Sequence, residues 1–176
     1  MAARAVLNGG VIAYPTEAVY GLGCNPYDAQ AVMRLLQIKN RDVSQGLILI
    51  GRSFHDFSDF IDDSDEALRN VLQSRQTEPT TWLMPASKSC PVWIRGQHKT
   101  VAVRVTDHEQ CRQLCDHTGS AIVSTSANRT GHASLRTAMK VRQEFNDELD
   151  YLLVGATGGQ QRPSRIIDAA SGKVFR

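Results

Sequence analysis

The sequence predicts one α/β domain over residues 1–176, and three observations carry that prediction. Short aliphatic and β-branched runs at 47–50, 101–105 and 121–123 read as buried strands. Between them lie segments with apolar residues at helical spacing, as in Val32, Leu35 and Leu36. The last of these strands, Ala121-Ile122-Val123, runs straight into Ser124-Thr125-Ser126-Ala127-Asn128, a set of compact donors and acceptors at a strand end, where open α/β sheets bind ligands. Taken alone, that cluster is more readily a turn whose hydroxyls satisfy their own backbone.

Taken in order, residues 2–7 read as a short helix stopped by Asn8-Gly9-Gly10, and 11–14 as a strand broken by Pro15. Residues 16–23 read as a loop mixing Thr16, Glu17, Tyr20 and two glycines. Asp28 is suited to cap a helix over 29–38, which ends at Lys39-Asn40-Arg41. After a loop at 42–46 and the strand at 47–50, Ser53 and Ser64 are placed to cap two helices, the second over 65–74. A strand at 80–84 ends at Pro85, and 86–99 reads as irregular, with Trp93 and Ile94 folded back as packing and Arg95 and Lys99 adding positive charge.

In the strand at 100–105, Thr100, Ala102 and Arg104 share one face and the valines the other. Arg104 needs a partner, either a structural carboxylate such as Asp107 or a bound anion. Asp107 is placed to cap a helix over 108–116, and Gly119 to end it. Thr137 is placed to cap a further helix. The tail reads as a strand at 151–154, a flexible loop at 155–159 and a terminal hairpin closing on 173–175.

Composition narrows the function classes. Twenty Lys and Arg against 18 Asp and Glu give a net charge of +2, so anion binding has to come from local clustering. The four cysteines form no Cys-x-x-Cys pair, and with His108 and His117 they fit no common zinc pattern, so buried apolar thiols are expected. No segment reads as a signal peptide or approaches the roughly 20 apolar residues of a membrane span, so a cytoplasmic location is expected. The sequence contains no Walker A motif, no complete Gly-x-Gly-x-x-Gly fingerprint and no Gly-x-Ser-x-Gly elbow. What remains is anion-holding chemistry at separate strand or helix ends: Lys39 with Arg41, Thr100 with Arg104, Ser126 with Asn128, and Ser164 with Arg165. Lys39 and Arg41 could equally do no more than complement a helix dipole. The combination suits an enzyme that aligns and neutralises a polyanion with little covalent work of its own.

Five motifs occur in a fixed order: Tyr14-Pro15-Thr16-Glu17-Ala18-Val19-Tyr20-Gly21-Leu22, Lys39-x-Arg41, Ala102-Val103-Arg104-Val105, Ser124-Thr125-Ser126-Ala127-Asn128-x-Thr130-Gly131 and Pro163-Ser164-x-Ile166. In these motifs the chain resembles the YrdC/TsaC family, in a short bacterial form without the extra C-terminal domain of longer relatives. The resemblance implies a twisted mixed parallel and antiparallel sheet with flanking helices and a concave basic cavity. It also implies L-threonylcarbamoyladenylate synthase activity: L-threonine, bicarbonate and ATP give threonylcarbamoyl-AMP and pyrophosphate, for modification of adenosine 37 in tRNAs. Such an enzyme is a nucleotidyltransferase that uses Mg²⁺ as Mg-ATP and works with the TsaB, TsaD and TsaE proteins. By motif position, Lys39 and Arg41 would meet the phosphates as the catalytic cations, with Thr100, Asn128 and Arg176 also on ATP. Thr16, Arg104, Ser126 and Ser164 would hold threonine. The resemblance also leaves a second reading, a module that binds tRNA or double-stranded RNA on the basic face. Asp42, Gln45, Ala18 and Thr77-Glu78-Pro79 depart from the family pattern.

Overall fold

The structure, a computed structural model, describes residues 1–74 and 76–176. Six α-helices flank one eight-stranded sheet among those residues. The helices are α1 (Ala2–Leu7), α2 (Ala29–Lys39), α3 (Glu66–Gln73), α4 (Val92–Arg95), α5 (Glu109–Thr118) and α6 (Ala138–Phe145). The strands are β1 (Ile12–Pro15), β2 (Tyr20–Gly23), β3 (Ile48–Gly51), β4 (Thr80–Pro85), β5 (Thr100–Val105), β6 (Ile122–Ser126), β7 (Tyr151–Leu152) and β8 (Arg165–Asp168). Their spatial order is β7-β1-β2-β6-β3-β5-β4-β8. Pairings β1–β7, β3–β5 and β4–β8 are parallel and the other four antiparallel, which is the mixed sheet expected.

Strand β6 joins the two halves of this sheet. Its residues Ile122, Val123 and Ser124 pair with Ile50, Leu49 and Ile48 of β3, while Thr125 and Ser126 pair with Leu22 and Gly21 of β2. Where β2 leaves β6, a Cβ at Gly23 would lie 2.3 Å from the Val123 carbonyl oxygen, so only glycine lets the two backbones meet. This explains a correction to the sequence reading: residues 20–23, read as loop, form a strand. Glycines normally weaken a strand, but here they admit Tyr14 and the β6 backbone. Pro15 is the last residue of β1, paired with Tyr20, so the strand ends there as read.

Side chains alternate along the strands between two apolar clusters. Val11, Ala13, Leu22, Leu49, Val101, Val103 and Val123 join the larger core, which includes Val32, Leu35 and Leu36 of α2 and Val141 and Phe145 of α6. Ile12, Tyr14, Ile50 and Ile122 face the other way, under Ala2 and Val6 of α1 and Cys111, Leu114 and Cys115 of α5. All four cysteines are free and buried, as expected. Helices α1 and α5 cover only part of this second face. Farther along it, Ile48, Leu83, Ala102 and Ser124 line an open cavity.

Helix ends obey local chemistry with small departures from the reading. The Asp28 carboxylate accepts from the backbone N–H groups of Gln30 and Ala31, and Thr137 caps α6 through Lys140. Helix α3 is capped by Asp65 rather than Ser64. Neither Ser53 nor Asp107 caps a helix: residues 54–57 form a 3-10 turn without a side-chain cap, and α5 starts after His108 without one. The strand read at 151–154 shortens to Tyr151–Leu152, and the stretch read as irregular contains α4. The terminal hairpin forms, with Ile167 bridged to Val174.

Candidate active site

The uncovered part of the second face is a cavity of about 360 Å³. Seven of the nine residues expected there line it: Thr16, Arg41, Thr100, Arg104, Ser126, Ser164 and Arg176. Lys39 and Asn128 stand immediately behind. Among the described residues five arginines contribute to the lining, Arg41, Arg95, Arg104, Arg162 and Arg176, against a single acidic side chain, Glu17. A low-dielectric wall carrying that excess of one sign favours an anionic occupant.

The strand register divides the cavity into two poles. On β5, Thr100 and Arg104 face the same way and are about 13 Å apart along the strand. Ile48 of β3 lies opposite both Ala102 and Ser124, so residues 45–47, at the entrance to β3, fall at the Thr100 end. The outlet of β6, with Ser126, falls at the same end. At the far end, β4 brings Thr81 beside Arg104, and β8 follows Ser164.

The Arg104 pole rests on Glu17. Arg104 Nη2 lies 3.3 Å from Glu17 Oε2, and the Thr106 hydroxyl donates to Glu17 Oε1 at 2.6 Å. The structural carboxylate is therefore Glu17 from the β1–β2 turn, and not Asp107 as the sequence suggested. Arg104 Nε has no hydrogen-bond partner, so the guanidinium is held on one side while retaining unused donors. The Ser164 and Thr81 hydroxyls bond each other at 2.8 Å, and Arg176 Nε donates to the Ser164 carbonyl at 3.3 Å. That bond places Arg176 at this pole, where burial, and then the charge of Arg104, lower its proton affinity. Thr16 donates its hydroxyl to the Val19 carbonyl at 2.8 Å, leaving oxygen lone pairs as its remaining capacity.

At the Thr100 pole, Lys39 is 2% exposed, and Nζ donates to the backbone carbonyls of Ser126 at 2.5 Å and Asn128 at 2.7 Å. Burial, and secondarily Arg41, push its amine down to about 8. Asn128 Oδ1 accepts from the Ser126 hydroxyl at 2.5 Å, and its amide donates to the carbonyls of Arg129 and His132. Lys39, Ser126 and Asn128 thus form one brace shaping the β6 outlet. Arg41 sits in front of it. Its Nη2 donates to the Gly46 carbonyl at 2.9 Å, its Nε is unpartnered, and burial lowers its proton affinity.

The sequence reading missed Glu17 and Thr106 as the support of Arg104, and it left Gln45, His98 and Arg162 without a role in the cavity. The signal for Glu17 was available, as an acid in a loop next to a hydroxyl, but its partner lies 87 residues away, since Arg104 and Glu17 meet only through the sheet. Residues 155–162 lie as a strap across the β1–β2 turn. Tyr20 Oη donates to the Gly155 carbonyl, Gly158 N–H donates to the Thr16 carbonyl, and Gln160 N–H donates to that of Glu17. Among the described residues no group of three His, Cys, Asp or Glu is placed to hold a metal.

Comparison with known proteins places this geometry in context. The family model Sua5_yciO_yrdC, described as telomere recombination, matches residues 4–176. Threonylcarbamoyl-AMP synthase of Pseudomonas aeruginosa strain UCBPP-PA14 is 47% identical over 175 residues, covering 99% of this chain and 94% of that protein. The Stutzerimonas stutzeri protein of the same name is 48% identical over 174 residues, covering 99% of this chain and 94% of its own. The crystal structure of P. abyssi Sua5 complexed with L-threonine superposes with a TM-score of 0.91 at 30% identity. That match covers 99% of this chain and 52% of the other, so the chain spans about half the length of that protein. The chain belongs to the Sua5/YciO/YrdC family.

Proposed function

We propose that the protein is an L-threonylcarbamoyl-AMP synthase, a nucleotidyltransferase that converts L-threonine, bicarbonate and ATP into threonylcarbamoyl-AMP and pyrophosphate. The observation that carries this reading is a two-poled cavity, with Arg104 at one end of β5 and Thr100, about 13 Å along the strand, at the other, where Arg41 also lines the wall. Such a site suits joining an amino acid to a nucleotide. The names of relatives matched over 94% of their length agree with it, as does the L-threonine complex of P. abyssi Sua5.

The chemistry asks for alignment and charge neutralisation. Threonine's amine, in its neutral form, adds to carbon dioxide derived from bicarbonate and gives a carbamate. A carbamate oxygen then attacks the α-phosphorus of ATP; the bond from that phosphorus to the bridging oxygen breaks, and pyrophosphate leaves with its electron pair. In this reading Arg104 pairs with the threonine carboxylate through the donors that Glu17 leaves unused. Thr16 and Ser164 bracket the amino acid, and Arg176 stands beside them, within reach of the join to the nucleotide. Arg41 and Thr100 face the phosphates. Lys39 acts from behind, fixing the Ser126–Asn128 outlet against which ATP lies. Mg²⁺ enters with ATP as part of the substrate.

The product is a reactive mixed anhydride, suited to a following transfer to adenosine 37 of tRNA by TsaB, TsaD and TsaE partners. The test is pyrophosphate release by the purified protein with each substrate omitted in turn, with L-serine replacing threonine as control. Release that requires both threonine and bicarbonate is expected. Release independent of threonine, or tight RNA binding without release, would overturn the assignment.

A further inference from the structure

Lys39 spends two of its three donors on backbone carbonyls and does not line the cavity, so of the two expected phosphate cations Arg41 is the one in its wall. A triphosphate brings more charge than one arginine offsets, so other cations lining the same pole bear on the question. Arg95, at the end of α4, packs against the Arg41 side through the backbone. The Leu47 N–H donates to the Ile94 carbonyl at 2.8 Å, and a Cβ on Gly46 would lie 3.0 Å from the Arg95 carbonyl oxygen. Gly46 is also the residue whose carbonyl holds Arg41. One peptide therefore ties both arginines to the entrance of β3.

The Arg95 side chain is half-buried and lines the cavity. Its guanidinium bonds within the protein through Nη1 alone among the described residues, to the His98 carbonyl at 3.1 Å and the Gly96 carbonyl at 3.5 Å. Neither Arg95 nor Arg41 forms an ion pair among those residues, and the one lining carboxylate, Glu17, is held at the opposite pole. Gln45, beside them, is neutral. An arginine that lines the cavity, anchored by its Nη1 and with Nε and Nη2 unbonded within the protein among the described residues, keeps the planar edge that phosphate oxygens take.

We propose that Arg95 is a further phosphate-binding residue, which together with Arg41 grips the β- and γ-phosphates of ATP and so selects the triphosphate over the monophosphate. This rests on the synthase reading above and adds to it the contact that separates substrate from product nucleotide.

The test compares binding of Mg-ATP and of AMP by calorimetry to the wild-type protein, Arg95→Gln and Arg95→Lys, with circular dichroism confirming that each variant is folded. The expected result is a loss of ATP affinity of roughly tenfold or more in Arg95→Gln, a smaller loss in Arg95→Lys, and unchanged AMP affinity in both. Unchanged ATP affinity in Arg95→Gln, or equal weakening of ATP and AMP, would overturn the proposal, since the second pattern describes a structural role for α4. Wild-type protein that binds no ATP would overturn the synthase reading itself, together with the role of Arg95.

Discussion

Lys39 Nζ donates to the Asn128 carbonyl at 2.7 Å, and this contact fastens the last turn of α2 to the outlet of the central strand β6. The Thr130 N–H returns the favour to the Lys39 carbonyl at 2.8 Å. Lys39, which the family resemblance puts on the phosphates, is in this structure a buried strut, so effects on activity also pass through the backbone it holds.

Lys39→Met removes the donor from two partly buried carbonyls. Each unsatisfied group costs about 1–3 kcal/mol, so a drop in stability of that order is expected. Turnover should fall about tenfold or more because the β6 outlet loses its geometry. Denaturant unfolding and pyrophosphate-release kinetics on the same preparations check both; full activity would show that the strut is dispensable.

The pH response of the same residue has a definite sign. In the folded protein the Lys39 amine titrates near 8, against an ordinary value of 10.5 in the unfolded chain. Between those values the folded state binds fewer protons, so this group makes stability rise with pH across that window. Below about pH 8 the cost of holding the buried charge is complete and constant. The wild-type minus Lys39→Met difference in unfolding free energy should therefore shift in favour of wild type from pH 8 to 10. A flat difference in urea titrations across that range would count against the buried, charged strut.

At the opposite pole, Arg104→Gln should raise the KM for threonine by about tenfold or more, the effect of losing a charge-assisted pair. It also leaves Glu17 buried without its cation, at a cost of about 3 kcal/mol. The double variant Glu17→Gln with Arg104→Gln should recover much of the stability and none of the threonine use. Threonine titrations and chemical unfolding of the single and double variants separate the two roles.

Gly96→Ala tests the packing that sets the phosphate pole. The backbone there has φ +63°, and a Cβ would lie 2.3 Å from the Ser44 carbonyl oxygen. Strain in the left-handed region and forced separation of the two loops together should destabilise the fold by about 2–4 kcal/mol. ATP affinity should weaken more than threonine affinity, because Ser44 and Gly46 lead into β3 next to Arg41. Calorimetry with each substrate reads the contrast.

Ser164→Ala strands the Thr81 hydroxyl in a buried site at about 1–3 kcal/mol, whereas Thr81→Val with Ser164→Ala removes both partners and should be close to neutral. Thermal unfolding of the single and double variants checks this. Threonine use should remain impaired in both if the Ser164 oxygen meets the substrate.

Much of this arrangement was legible in the residues because its causes are local. Period-two and helical apolar spacing placed β3, β5, β6, α2 and α5; Asp28 and Thr137 announced their caps; and Thr100, Ala102 and Arg104 declared a common face by alternation. The ordered motifs added the family and with it most of the cavity lining. Strand β2 stayed hidden because its glycines weaken any propensity signal, and they are tolerated only where Tyr14 and the Val123 carbonyl need the space. Three decisions belonged to the tertiary structure alone: that Arg104 pairs with Glu17 and not Asp107, that Lys39 Nζ meets two backbone carbonyls, and that Arg95 lines the same cavity as Arg41. Each depends on which residues the sheet register brings together across long separations in sequence, and side-chain type and spacing along the chain carry no record of that register.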